Sequence, residues 1–367
     1  MDNIESTNVV DSTLLSVSRE PFCAETKLDS LDSGITPTHR FYVRSHFADI
    51  PSLDPDTWNL EICGAIKHPI SFTLDEIKAM PSRETAITLE CAGNSRSYLA
   101  PPAEGLLFGH GAVSTAMWKG VTLAHVLKSA NVQPGANVII FTGADSGEEE
   151  EHGVAFQLAY SRSIPLDTNL LTDIILAYDM NGLPLTKSHG SPLRVVVPRW
   201  YAMSSVKWLK RIEISNTPFN GFFQKRRYVF INEGEERQES REPVTLMRVK
   251  SIVISPNHGA IVQRGPFTIT GYAWSGEAAV TRIELSTTGG RTWQDATLFG
   301  PLGEHAWRPW VFQWSADEPG HYIIKVRATD TSGRTQPDSI PWNFRGYANN
   351  SIHTIAVEVP STDDPNP

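Results

Sequence analysis

The sequence predicts an α+β protein in two parts: a mixed α/β domain over residues 21–235, then an all-β, immunoglobulin-like sandwich over residues 246–359. Three observations predict it. The 367 residues are long for one core and comfortable for two. Helix-period and strand-like runs interleave irregularly through the first part. Past the charged stretch INEGEERQESREPVTLMRVK (231–250), which has few large apolar groups and reads as a linker, only short alternating runs remain.

Residues 1–20 are polar and are expected to be disordered, as is the tail over 360–367. FYVRSHF (41–47) alternates and predicts a strand, and WNLEICGAI (58–66) with ISFTL (70–74) predicts two strands around a turn. LDEIKAMP (74–81) has helical spacing and stops at Pro81. TAITLECAGN (85–94) is β-rich and breaks into a Gly-Asn turn, while VTLAHVLKSANV (121–132) reads as an amphipathic helix. NVIIFTG, TDIILAYDMNG and PLRVVVP are apolar strand-like runs, and VKWLKRIEIS is a further strand candidate. In the second part KSIVISP, PFTITGYAW, VTRIELSTTGG, WVFQWSA and HYIIKVRATD alternate between Gly, Pro and Asp turns. About seven strands in that length is the pattern of a sandwich.

The formal net charge of −9 argues against a nucleic-acid binder, whose footprint is basic. Three cysteines (Cys23, Cys63, Cys91) with no CxxC pair make a disulfide framework or a Cys-rich zinc site a poor fit. MDNIESTNVVDSTLL has neither a basic n-region, an apolar h-region nor a twin arginine, and no run is long and apolar enough to span a membrane. The expectation is a cytoplasmic chain with no membrane partner, or a periplasmic one if a signal was removed.

Cys91 stands where ITLE breaks into AGN, a position that fixes a side chain and points it into a cleft. A thiolate there would bind a soft metal or attack carbon, and Arg96 would help to ionise it. A buried core cysteine is the alternative on position alone. Cations gather near short turns: Arg44 and His46 in VRSHF, His189 and Arg194 in SHGSPLR, Lys207 in SVKW, and Lys225, Arg226 and Arg227 in QKRRY. Arginine forks and lysine point charges suit phosphates and oxyanions, although any single one is as readily a solvated surface charge. Arg194 abuts a buried run and so calls for a fixed partner. Tyr228 follows three cations, which favour its phenolate and strengthen its hydroxyl as a donor; an ordinary half-buried tyrosine is the alternative. Asp145, between small residues in TGADSG, reads as a turn or cap former. There is no dinucleotide fingerprint, P-loop, HExxH or EF-hand spacing, and GNSRS is not a nucleophile elbow.

These residues, in their order, resemble the sulfite oxidase family, which includes the molybdenum domain of eukaryotic nitrate reductase. The match is carried by VRSHF, TLECAGNSR, AVSTAMWKGVTL, LAYDMNG, HGSPLRVVVP, SVKWLKRI, GFFQKRRY, GYAWSG, TQPD and WNFRGY, spread over residues 20 to 358. The resemblance implies a molybdopterin-binding catalytic domain, a dimerisation domain and hence a homodimer. It implies one Mo-molybdopterin per chain, with Cys91 as the metal's thiolate. It places the cofactor against Arg44, Ser45, His46, Asp145, His189, Arg194, Ser205 and Lys207. It places the active-site tyrosine at Tyr228 and the substrate-pocket arginines at Arg44, Arg96 and Arg345. The implied reaction is oxidation of sulfite to sulfate by oxo transfer, with no haem and with electrons passed to an external acceptor such as a c-type cytochrome or oxygen. Reduction of nitrate or of an S- or N-oxide is the alternative within the same chemistry. Outside it stand a non-catalytic binding protein with an immunoglobulin-like module and a cysteine hydrolase using Cys91 and a histidine. Three departures are visible. Many relatives read CAGNRR where this chain has CAGNSR, with Ser95. A pocket-wall tryptophan of animal enzymes is replaced by Phe108. The family's PGxxGxRxVKW is here PRWYAMSSVKW, so Arg199 is the candidate to take over a lost cofactor contact.

Overall fold

A computed structural model describes residues 13–151, 153–232 and 241–361. The first part holds two five-stranded sheets. One runs Leu183–Pro184, Ile175–Met180, Val113–Thr122, Ser82–Glu90, with Arg194–Val196 paired to Ile175–Met180 as well. The other runs Ile70–Thr73, Asn59–Gly64, Leu209–Ser215, Val138–Glu151, Val154–Pro165. The helices are short. Leu74–Ala79 starts on a reciprocal cap between Thr73 and Glu76. It stops because Met80, preceding Pro81, takes an extended conformation. The expected helix over 121–132 is realised only as Leu123–Leu127. Ser129, the left-handed Asn131 and Pro134 cut off its continuation.

Other expectations change. Within 1–20, residues 14–19 are not disordered: Leu14–Arg19 pairs with Phe22–Thr26 in a hairpin, and residues 1–12 lie outside the described residues. FYVRSHF is not a strand. Only Val43 bridges, to Ala24, and Phe41, Tyr42 and Val43 are all buried rather than alternating. Asp145 is not in a turn. Val138–Glu151 runs through it as one long strand, with an irregularity of register between Thr142 and Ser146. Its partner Val154–Pro165 is a strand too, with Phe156, Leu158 and Tyr160 on its more buried face.

The second part is two packed sheets. Lys250–Ser255, Gly265–Trp274, Arg308–Ala316 and Thr297–Leu298 form one; Ala260–Ile261, His353–Val359, Gly320–Asp330, Val280–Ser286 and Gln294–Asp295 form the other. One apolar cluster draws Val253, Ile269 and Trp310 from the first sheet and Ile283, Ile324 and Val357 from the second, as a sandwich requires. The nine strand segments among the described residues exceed the seven expected, because two-residue edge strands carry no period that sequence can show.

The linker reading holds least well. Residues 233–240 of it, and 362–367 of the tail, lie outside the described residues. Its C-terminal half is packed: Val244 is buried, and Trp200 bridges Leu246. The larger core continues across the boundary, taking in Ile252, Tyr272, Trp274, Trp307 and Tyr347 of the second part. The two parts therefore share a core, and the strand end at Glu90 sits against that seam. Among the described residues no helix is long and apolar enough to cross a membrane.

Candidate active site

Cys91 follows directly on the strand Ser82–Glu90. Its amide donates to the Ala112 carbonyl (2.9 Å), and its carbonyl accepts from the Asn94 amide (2.9 Å), so the chain turns at once into the loop that carries Arg96. The half-buried sulfur borders two cavities. Arg44 and Tyr228 border both as well.

The first cavity, with its mouth, holds about 670 Å³ of space, part of it open to solvent. Its wall contains Arg44, Ser45, His46, Asp145, His189, Arg194, Ser205 and Lys207, so the structure gathers the cations of VRSHF, SHGSPLR and SVKW here, but not those of QKRRY. Arg194 finds the fixed partners that its position demands. Its guanidinium donates to the His189 and Ser205 carbonyls (3.1 Å each) and lies 4.9 Å from the centre of the Trp118 ring. Burial brings its pKa down to about 10. Lys207 donates to Ser45 Oγ (3.3 Å) and the Ser188 carbonyl (2.8 Å), and Ser205 Oγ accepts from the Val197 amide (3.0 Å). His189 Nε2 donates to the Thr38 carbonyl (3.3 Å), which leaves Nδ1 as the acceptor; burial, with Lys207 and Arg194 nearby, holds this imidazole neutral, at about 3.

Asp145 Oδ1 is buried in this wall with no hydrogen-bond partner among the described residues. A buried carboxylate oxygen left without a donor is costly unless something else supplies one. Burial raises its pKa and lowers that of Lys207, their mutual attraction opposing both shifts. Cations, an unsatisfied acceptor and hydroxyls around one hollow suit a group with both a phosphate and N–H donors. Sequence reasoning missed Tyr42 and Tyr160 in the same wall. Their roles come from distant contacts, such as the Tyr160 hydroxyl donating to the Met203 carbonyl (2.7 Å).

The second cavity, about 630 Å³, is lined by Arg44, Arg96, Arg227 and Arg345, with Glu104, Phe108 and Tyr347. Arg96 is fixed: Nε donates to the Arg345 carbonyl (2.8 Å), Nη1 to the Leu106 carbonyl (2.7 Å), and the group stacks 5.1 Å from the centre of the Tyr347 ring. Arg345 Nη1 meets Glu104 Oε1 at 3.4 Å. Arg227 lies 3.6 Å from Glu149, and Arg226 lies 2.9 Å from Glu151, so the two arginines of QKRRY are answered by the acidic end of Val138–Glu151. Tyr347 was not singled out in sequence, though it stands two residues beyond Arg345; its ring stacks on Tyr228 at 5.2 Å.

Burial decides the state of both central groups. It pushes the Cys91 thiol up, against Arg44, the Gly93 amide and Arg96. It likewise raises Tyr228 although Arg44 and Arg162 pull the other way. Burial thus outweighs the pull of neighbouring charge towards the phenolate, and the Tyr228 hydroxyl keeps its proton as a donor. His46 is kept neutral by burial and by Arg44. Arg44 Nη2 can only donate to His46 Nδ1 (3.3 Å). His46 Nε2 then donates to the Tyr228 oxygen at 2.7 Å, which leaves the Tyr228 proton for the cavity. Among the described residues no three His, Cys, Asp or Glu side chains stand together as a metal cage.

The oxidoreductase molybdopterin binding domain profile matches residues 47–223, and the Mo-co oxidoreductase dimerisation domain profile matches residues 241–360. The chain belongs to the sulfite oxidase family. It is 37% identical to mitochondrial sulfite oxidase of Mus musculus over 93% of this chain and 65% of that one. It is 33% identical to the nitrate reductase [NAD(P)H] of Hordeum vulgare over 93% of this chain and 41% of that one. The chain thus spans about two thirds or less of these relatives' length. The crystal structure of the sulfane dehydrogenase SoxCD from Paracoccus pantotrophus superposes with a TM-score of 0.82, at 25% identity, over 98% of this chain and 93% of that one. Within the sulfite oxidase family the departures of this chain now have places. Phe108 does line the second cavity. Arg199 lines neither cavity: it donates to the Gly276 and Glu277 carbonyls (2.7 and 2.8 Å) in the second part. The altered loop meets the first cavity through Ala202 and Met203 instead.

Proposed function

We propose that this chain is a molybdenum-dependent oxidoreductase that oxidises sulfite to sulfate and passes the electrons to an external acceptor, such as a c-type cytochrome or oxygen. One observation carries the reading. The Cys91 sulfur stands on the wall shared by a cavity suited to a phosphorylated pterin and a cavity lined with arginines. A molybdenum-pterin group held there would supply oxygen-atom transfer and a store for two electrons. Arg194, Lys207, His189, Ser45 and Ser205 would hold its phosphate and polar edges, Asp145 would accept from its N–H groups, and Cys91 would bind the metal.

The remaining work falls to the second cavity. Arg44, Arg96 and Arg345 concentrate a small anion and stabilise the dianionic product. Arg96, with its bonds to two carbonyls, provides a rigid fork that costs no reorganisation. Tyr228 offers the proton left free by the Arg44–His46 chain as a hydrogen bond to the oxygen in transit. The match to the dimerisation domain supports a homodimer.

Reduction of nitrate is the reading kept beside it, because a nitrate reductase is among the relatives. The test is metal analysis of protein from a cofactor-competent host, then turnover of sulfite with ferricyanide and of nitrate with a reduced viologen on the same sample. Sulfite turnover is expected. Fully loaded protein that turns over nitrate alone would replace this proposal.

A further inference from the structure

The strand end before Cys91 and the turn after it are gripped from the other part of the chain. Glu90 is 1% exposed, and its carboxylate accepts three hydrogen bonds. Oε1 accepts from Lys250 Nζ (3.0 Å) and from Asn94 Nδ2 (3.0 Å), and Oε2 accepts from Trp274 Nε1 (2.8 Å). Lys250 opens the strand Lys250–Ser255, and its ammonium also donates to Ser95 Oγ at 2.8 Å. One cation thus bridges residues 90 and 95, the two flanks of the turn that carries the sulfur. The remaining bonds tighten the same turn. Ser95 Oγ, having accepted from Lys250, donates to His110 Nδ1 (2.7 Å); the Ser95 carbonyl accepts from Asn349 Nδ2 (2.8 Å); and Asn94 Oδ1 accepts from the Ala112 amide (3.1 Å).

We propose that Lys250 is a positioning residue for the Cys91 sulfur, acting from the sandwich through a buried clamp on Glu90 and Ser95. The inference rests on the reading of Cys91 as the metal's thiolate. The charge arithmetic of the seam supports it. Lys250 is itself 1% exposed and has Glu90 as its only carboxylate within ion-pair distance among the described residues. An arginine at position 95 would set two cations against one buried carboxylate. Serine at 95 accepts a hydrogen bond from the ammonium instead, so Ser95 and Lys250 belong together as a pair. A thiolate ligand must be held to a fraction of an ångström for its orbital overlap with the metal to persist through turnover. A strand of the second part supplies that restraint, which also ties the seam between the two parts to the chemistry.

The experiment uses the full-length protein, from cofactor-competent and from cofactor-deficient hosts, as wild type, Lys250→Gln, Lys250→Arg and the double variant Ser95→Arg/Lys250→Gln. In the cofactor-free chains, alkylation of Cys91 by iodoacetamide is followed by peptide mass mapping. In the loaded enzymes, kcat and KM for sulfite are measured together with the molybdenum(V) resonance spectrum. Lys250→Gln is expected to speed Cys91 alkylation and to lower kcat, each by about tenfold or more, with KM within about twofold and a broadened spectrum. Lys250→Arg and the double variant return the cation and are expected to restore both rates to within about threefold of wild type. Folded Lys250→Gln with wild-type alkylation and spectrum overturns the proposal. If that variant does not accumulate, the double variant decides: wild-type alkylation supports the clamp, and a fast-reacting Cys91 overturns it. Alkylation reads the clamp without any metal, whereas the metal content and spectrum of the wild type read the ligand assignment, so the two failures are told apart.

Discussion

Glu104→Gln tests whether the arginines of the second cavity are arranged for an anion. Glu104 Oε1 lies 3.4 Å from Arg345 Nη1, and both residues line the cavity. Coulomb's law at that separation gives about 1 kcal/mol in bulk water and about 5 kcal/mol at an effective dielectric constant near 20. The Glu104 side chain is 49% exposed, which places the pair near the lower figure. Removing its charge should free Arg345 for substrate and lower KM for sulfite about two- to fivefold at low ionic strength, with kcat unchanged. Raising the ionic strength to about 0.5 M shrinks the Debye length to about 4 Å, and the gain should fall below about twofold. Arg345→Ala should raise KM, and in that background Glu104→Gln should do little, since its partner is gone. Steady-state kinetics on the four proteins at two salt concentrations decides. An unchanged or higher KM for Glu104→Gln at low salt, or an equal drop without Arg345, would refute the reasoning.

Further outcomes follow from the site. Tyr228→Phe removes a single donor and keeps the stack on Tyr347, so kcat should fall by about 10²–10³ at unchanged molybdenum content. A loss of only a few fold would show that the hydroxyl is not used. Arg194→Lys keeps the charge but loses the fork to the His189 and Ser205 carbonyls, and should purify with about tenfold less molybdenum; full loading would exclude Arg194 from cofactor binding. His189 is held at about 3 in the fold against about 6.5 when unfolded, so the unfolded chain binds the extra proton first as pH falls. Its contribution is complete above about pH 6.5 and is lost at about 1.4 kcal/mol per pH unit below it. Urea midpoints between pH 7 and 5 should fall less steeply in His189→Gln, by about that slope; parallel curves would mean the imidazole titrates freely.

What the sequence made legible follows from range. Local signals worked where the chain decides locally: the helix at Leu74 starts on its own capping pair and ends at its own proline, and Cys91 does stand where a strand breaks into a turn. The alternating runs of the second part became its longer strands. The cation motifs pointed to an anion site because no local partner could absorb a charge such as Arg194. Failures came where a distant partner sets the outcome. Asp145 looked like a turn former, but a fourteen-residue strand, pinned on one side by Leu209–Ser215 and on the other by Val154–Pro165, carries it into the wall of the first cavity. Arg199 looked available to the cofactor until its carbonyl partners at 276 and 277 appeared. Tyr42, Tyr160 and Tyr347 carry no motif of their own, and the Glu90–Lys250 pair spans 160 residues. At Tyr228 the pull of neighbouring charge was legible in QKRRY, and the stronger opposing effect of burial was not.

X-ray absorption at the molybdenum edge, on loaded wild-type protein and on Cys91→Ser, addresses the central claim without relying on any substrate. The account predicts one more sulfur neighbour at thiolate distance in the wild type than in the variant, with turnover lost by about three orders of magnitude in the latter. Identical sulfur shells in the two proteins, with molybdenum bound to both, would show that residue 91 does not hold the metal.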